Sequence, residues 1–229
     1  MRVSDERILE LFGQVYASSD DDHVRHVLAD ALLSIGDPRG ELIQLQLHPH
    51  GDEVRAMRLL QRHGMTWLGG LRGPIVPLAY ERGFLASCLV VADCASVLDR
   101  PEWSTVHTIQ LASEHPGFAI HPVMRSLRRL VDVPWNVLLE LANTCRAQLE
   151  RVAVETRYDA VARDMLGRYL PANSIGSLTI VAVPSEDADS LRAIAARHPR
   201  MKLELLVVPP VAAARDVARD NDRFDSVDE

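Results

Sequence analysis

With 229 residues, a net charge of -7 and a pI near 5.7, the chain can bury a sizeable core, and it has no dense Lys/Arg run to serve as a footprint for duplex nucleic acid. No apolar run reaches the roughly 18 residues of a membrane span, and Met1-Arg2-Val3-Ser4-Asp5-Glu6 does not read as a secretory leader, so a cytoplasmic address is expected. Cys88, Cys94 and Cys145 cannot all pair and form no Cys-x-x-Cys, which argues against a disulfide framework or a thiolate zinc site.

The amino-terminal third reads as helices. Ile8, Leu9, Leu11, Phe12 and Val15 make the apolar stripe of a first helix, and Ser18-Ser19-Asp20-Asp21-Asp22 supplies N-cap candidates for a second. That second helix is predicted over 22–35, with Val24, Val27, Leu28, Ala31 and Leu32 on one side. Gly36 is placed to end it, and Asp37-Pro38 to start a third helix with Asp as N-cap and Pro in the first turn. Leu42, Ile43 and Leu45 are predicted to pack back on the second helix. His48-Pro49-His50-Gly51-Asp52 breaks the chain before a fourth helix at about 53–63. Residues 1–65 therefore read as a small helical cap.

Residues 22–46 carry a resemblance. Ala29-Asp30, Leu32, Gly36-Asp37-Pro38-Arg39-Gly40-Glu41, Ile43 and Leu45-Gln46 resemble a short bacterial repeat-companion domain that often precedes leucine-rich-repeat-like segments. Trp67-Leu68-Gly69 and Arg82-Gly83-Phe84 are similar to the stretch downstream of that motif in the family. Many members have Trp where this chain has Ala31. The resemblance implies an interaction module with no established reaction. Within the motif, Asp30, Arg39 and Glu41 are read as structural, with Asp30 and Glu41 capping the corner or pairing with Arg25 and Arg39, because partly buried charges need partners.

From Leu85 onward, apolar-x-x-apolar-x-apolar recurs at Leu85/Cys88/Val90, Val106/Ile109/Leu111, Leu127/Leu130/Asp132, Leu149/Val152/Val154, Leu178/Val181/Val183 and Leu203/Leu206/Val208. Successive starts lie 21, 21, 22, 29 and 25 residues apart. A strand, helix and parallel strand ordinarily take roughly 30 residues. The tighter spacing predicts short parallel strands stacked as repeats. The fold class expected is thus α/β, a small helical cap followed by a leucine-rich-repeat-like solenoid with a parallel β-sheet over 66–210. Residues 211–229 are expected to form a helix and a disordered acidic tail.

The third copy puts Asp132 where an apolar residue should point inward. A slip of one residue would instead bury Val131 and Val133, and the sequence leaves both registers open. Segments 135–142, 158–166 and 187–198 have helical spacing and read as backing helices. Ser113-Glu114-His115-Pro116-Gly117, with Pro101 and Pro122, indicates turns behind the earlier strands.

Strand alternation names an open face: Ser87 and Leu89, Thr108 and Gln110, Arg129 and Val131, Arg151 and Ala153, Ile180 and Ala182, Leu205 and Val207. It is polar and basic in the middle and apolar at its carboxyl end. Ile180, Leu205 and Val207 either meet a partner or are covered by 211–218, while Arg129, Arg151 and Glu155 are the residues expected to give specificity.

Signals for chemistry are thin. His23 and His26 lie one helical turn apart, and His48 and His50 flank Pro49, but neither pair supplies the three or four ligands of a zinc centre. Gly69-Gly70-Leu71-Arg72-Gly73 lacks the Lys-Ser/Thr of a phosphate loop, and no Gly-x-Ser-x-Gly elbow occurs. A free cysteine is more often a small buried hydrophobe than a nucleophile. The expected function is a non-enzymatic module without cofactor or metal. It would bind another protein through the sheet face in the bacterial cytoplasm, with no nucleic-acid or membrane partner. The competing reading is a metal-dependent or hydrolytic site between cap and repeats, near His48, His50 and Trp67.

Overall fold

Four helices open the chain: α1 (Val3–Ala17), α2 (Asp22–Ser34), α3 (Pro38–Leu47) and α4 (Glu53–Trp67). The computed structural model describes residues 3–112, 120–134, 138, 149–154, 175–197 and 200–208.

Local chemistry sets the helix ends. The Asp21 carboxylate accepts from the backbone N–H of His23 and Val24, Asp37 accepts from Arg39, and Asp52 accepts from Arg55. At the α2–α3 corner, Gly36 has φ 76° and donates to Leu33 O, while Asp37 N donates to Leu32 O. This left-handed closure satisfies carbonyls that the helix end would leave bare. Gly40 lets the two helices meet, since a Cβ there would lie 2.6 Å from Ala29 O.

The partners of the charged motif residues differ from those expected. Glu41 forms a two-pronged bridge to Arg55 Nε and Nη2 at 2.6 and 2.8 Å, and Asp30 accepts from Gln44 Nε2 at 3.1 Å. Arg39 donates through Nε to Gly83 O at 3.0 Å, and Arg25 approaches Asp22 at 3.8 Å. Both arginines are buried against the Phe84 ring. The tertiary geometry that selects these partners is invisible in a linear motif.

Among the described residues seven strands come next in one sheet whose spatial order is the order of the chain: β1 (Ile75–Glu81), β2 (Phe84–Val90), β3 (Thr108–Leu111), β4 (Arg129–Val131), β5 (Leu149–Val154), β6 (Ile175–Pro184) and β7 (Lys202–Val208). β1 and β2 are an antiparallel hairpin absent from the sequence reading, and every later pairing is parallel. Arg82 and Gly83, both with positive φ, make its two-residue turn, the geometry that matches strand twist. Gln46 clamps the turn, donating to Tyr80 O and accepting from Gly83 N.

One row of side chains from the sheet forms the core. Leu85, Cys88 and Val90 are succeeded by Val106, Ile109 and Leu111, then Leu127 and Leu130, then Leu149, Val152 and Val154, all buried in one cluster. At the third copy neither anticipated register holds. Leu127, Leu130 and Val133 are buried, and Asp132 with φ 57° turns the chain between them. The left-handed residue adds a step, so an apolar side chain reaches the core one position late.

The last two copies are corrected. β5 pairs Leu149 with Ile175, Val152 with Leu178 and Val154 with Ile180, so the inward set is Ile175/Leu178/Ile180 and the copy starts 26 residues after Leu149. In β7, Leu203 and Leu205 pack on the core, whereas Leu206, expected inward, is 57% exposed. A bulge between Val181 and Val183 lets Val183 return to the interior.

Behind the sheet, 3-10 turns at Ala95–Val97 and Pro101–Thr105 join β2 to β3, and α5 (Ser185–Ala195) joins β6 to β7. Leu138 is helical and buried. The rest of the helical segments expected at 135–142 and 158–166, and the segment 211–229, lie outside the described residues. The helices and sheet share contacts: Phe84 packs in the cap's own cluster, and Ser19 Oγ is hydrogen bonded to Ser126 Oγ.

Candidate partner-binding face

Parallel register carries side chains of one face into rows that cross the strands, with neighbours about 4.8 Å apart at the backbone. One row runs Ser87, Thr108, Arg129, Arg151, Ser177, Lys202. Beside it, Leu89, Gln110 and Val131 are paired in sequence, as are Ala153, Thr179 and Glu204. Neither row belongs to the buried inward set, so these residues occupy the opposite face.

Of the residues named from sequence, Thr108, Gln110, Arg129 and Arg151 are brought together on this face. Ile180 is not: it is 0% exposed, facing the core, because the fifth copy begins at Ile175. Leu205 likewise packs on the core as the partner of Ile180. Val207 is 41% exposed, opposite Val183 across the bulge. Glu155 lies outside the described residues. The apolar carboxyl end anticipated for this face is therefore replaced at its centre by Thr179 and Glu204.

These two residues, with Lys202 and Ser177, were missed by sequence reasoning. A signal existed, since Ile175-x-x-Leu178-x-Ile180 fits the repeat as well as the set three residues later.

Polar contacts tie the face together. Arg151 Nη2 reaches Glu204 Oε2 and Thr179 Oγ1, each at 3.4 Å, and the Thr179 hydroxyl donates to Glu204 Oε2 at 3.3 Å. Lys202 Nζ donates to Glu204 Oε1 at 2.9 Å. That hydrogen bond, then the Lys202 charge, holds the Glu204 carboxyl below its ordinary range, with Thr179 and Arg151 adding to the effect. Gln110 Nε2 donates to Asp132 Oδ2, the residue whose backbone turns the third copy. Arg128 meets Glu150 at 3.4 Å on the strand flank, and the His107 ring lies between Glu81 Oε1 at 3.2 Å and Thr108 Oγ1 at 3.0 Å. Arg129 is exposed and pairs with no side chain among the described residues.

The competing location has a groove. About 590 Å³ lies between the α3–α4 corner and the hairpin, against Leu45, His48, Met57, Leu60, Tyr80 and Glu81. His48 is there, but its Nδ1 already accepts from His50 N, and neither His50 nor Trp67 lines the space. Trp67 instead stacks on His63 with centroids 5.4 Å apart. The Asp52 carboxylate at the rim is engaged as an N-cap. Among the described residues, no three His, Cys, Asp or Glu side chains gather to hold a metal ion, and no helix is long and apolar enough to cross a membrane.

The thiols are poorly placed for nucleophilic work. Burial pushes Cys88 up to about 12, with Cys94 nearby adding to it, and pushes Cys94 up to about 11, with Asp93 adding. A thiolate is the reactive form, and burial in apolar surroundings suppresses it. Cys145 lies outside the described residues.

Searches against family models, curated proteins and solved structures find no match. The functional reading therefore rests on the geometry of this face.

Proposed function

We propose that this chain is a non-enzymatic module that binds another protein through the open face of its sheet. In this reading the carboxyl two-thirds is a leucine-rich-repeat-like solenoid, and the helical segment is its amino-terminal cap. The cap packs on the hairpin that begins the sheet and belongs to the repeat-companion type that 22–46 resembles. Strand order matching chain order, with parallel pairing from β2 to β7, supports the stacked-repeat architecture. A bacterial cytoplasmic setting is part of the same proposal.

The observation that carries it is the row Thr108, Arg129, Arg151, Ser177, Lys202, set on five successive strands and flanked by half-buried Leu89, Val131 and Ala153. Large polar groups on a rigid sheet, beside small apolar ones, form a surface suited to a macromolecular partner rather than to a concave small-molecule site.

Affinity capture from native lysate tests this. A change on the open face, Arg129→Glu with Arg151→Glu or Ala153→Tyr, should abolish the captured partner while circular dichroism shows the fold retained. A stoichiometric, tightly held metal in the purified protein would instead favour a site beside the α3–α4 corner.

A further inference from the structure

We infer that the segment this face receives is acidic: an extended stretch of Asp and Glu from a partner protein, laid across strands β4 to β7. The inference deepens the protein-binding reading above and rests on it.

The row from Arg129 to Lys202 contains three cations and no carboxylate. Among the described residues, the carboxylates on or beside the face are already engaged: Glu204 by Lys202, Thr179 and Arg151, Glu150 by Arg128, Asp132 by Gln110, and Glu81 beside the His107 ring. Among the described residues none is left to neutralise Arg129. Arg129 and Arg151 are register partners on adjacent parallel strands, so two guanidinium-bearing residues stand side by side. Arg151 reaches Glu204 on its β7 side, whereas Arg129 on the β4 side meets no described carboxylate, so the like charges of the pair are compensated at one end only. A carboxylate arriving beside Arg129 would complete the compensation, and the planar guanidinium fork suits a carboxylate.

Shape sets the length of the segment. Three strand steps from β4 to β7 span about 14 Å, a distance covered by four or five residues of extended chain. Ser177 in the same row is small, and Val131 and Ala153 in the next row are compact, so a backbone can approach without displacing a large side chain.

Charge also selects the class of partner. The chain as a whole carries -7, so a polyanion such as RNA or DNA is repelled beyond the row, whereas a short acidic stretch engages only the local cations.

The test uses the full chain and a fluorescein-labelled twelve-residue peptide holding five consecutive Glu. Controls are the same peptide with Gln in place of Glu and a twelve-nucleotide single strand. Fluorescence anisotropy should report binding of the Glu peptide that weakens as salt rises. Arg129→Glu with Arg151→Glu should cut affinity at least tenfold, and Arg7→Glu, an exposed change on α1, should leave it unaltered. Equal affinity for the Gln peptide, equal loss in Arg7→Glu, or equally tight binding of the single strand would overturn the inference.

Lysate capture separates its failure from that of the parent reading. If Ala153→Tyr, which adds bulk on the open face and whose fold is checked by circular dichroism, blocks the captured partner while the double charge reversal does not, the face binds protein without acidic recognition. If neither change affects capture, the face is not the binding surface and both readings fall.

Discussion

The guanidinium of Arg39 lies 4.4 Å from the centre of the Phe84 ring while its Nε donates to Gly83 O at 3.0 Å, so one side chain of α3 holds both the turn and the first strand-β2 residue of the hairpin. A second ring, Phe12 of α1, sits 5.0 Å away on the cap side. Helix, hairpin and α1 thus converge on one buried cation. Burial drives the Arg39 pKa down, opposed by Tyr16, Tyr80 and Asp37.

Arg39→Ala should therefore destabilise the fold by roughly 3 kcal/mol or more, because it leaves Gly83 O unsatisfied and a void between two rings. Arg39→Met keeps most of the packing and should recover part of that loss. Arg39→Lys should not, since an ammonium loses the planar stacking and the Nε geometry. Urea unfolding of the three variants checks the order Met above Ala and Lys.

Two glycines with positive φ separate backbone preference from packing. At Gly36, φ 76°, a Cβ would meet nothing within 4 Å, and at Gly83, φ 81°, it would lie 2.1 Å from Ile43 Cγ1. Gly36→Ala should cost about 1 kcal/mol, the strain of the left-handed region alone. Gly83→Ala should cost about 3 kcal/mol, with core overlap added to that strain. Thermal melts of the two variants, each compared in an Ile43→Ala background that lacks the overlapping Cγ1, should show a reduced cost for Gly83→Ala and an unchanged cost for Gly36→Ala.

The Glu41–Arg55 bridge predicts a pH dependence. Its hydrogen bonds from Arg55 hold the Glu41 carboxyl below the ordinary range. A carboxyl whose folded pKa is depressed adds stability that is fully present above its unfolded pKa and is lost as pH falls through the folded one. The stability gap between the parent chain and Glu41→Gln should thus be present at neutral pH, begin to close below about pH 5 and vanish in stronger acid. Because the pair is substantially exposed, the gap should be small and should shrink in high salt. Paired urea titrations from neutral pH into acid measure it; a gap that widened on acidification would refute the assignment.

Much of the amino-terminal architecture was legible because helix boundaries are written in neighbouring residues. Gly36-Asp37-Pro38 ends one helix and starts the next through contacts within a few positions, and the structure places α2 and α3 accordingly. The fourth helix extends past its expected end at His63 to Trp67, since Gly64 is buried in it and its carbonyl accepts from the Tyr80 hydroxyl. Glu41 and Asp30 found partners on other turns and other helices, which no local rule selects.

In the sheet, the first four inward sets reach the core as the spacing suggests, save that Asp132 is a hinge and not a tooth. The fifth was misplaced because Leu178-Thr179-Ile180-Val181-Ala182-Val183 is apolar almost throughout, and a continuous apolar run hides the period of two that would mark its faces. Pairing with β5 decided the register, sending Ile180 inward and Thr179 to the open side. The β1 hairpin escaped notice because Pro77 interrupts its alternation, and the side chains that brace its turn, Gln46 and Arg39, lie far away in the chain.

The sequence by itself determined the helix caps, the inward apolar positions of each strand through Val154 apart from the turn at Asp132, and the outward positions of Thr108, Gln110, Arg129 and Arg151, because each depends on spacing within a single element. Only the tertiary structure decided which cations stand in one row, which carboxylates they hold and that Arg129 remains unpaired by any described side chain. Those facts arise from pairing between strands roughly 20 or more residues apart, where a shift of one position reverses every face.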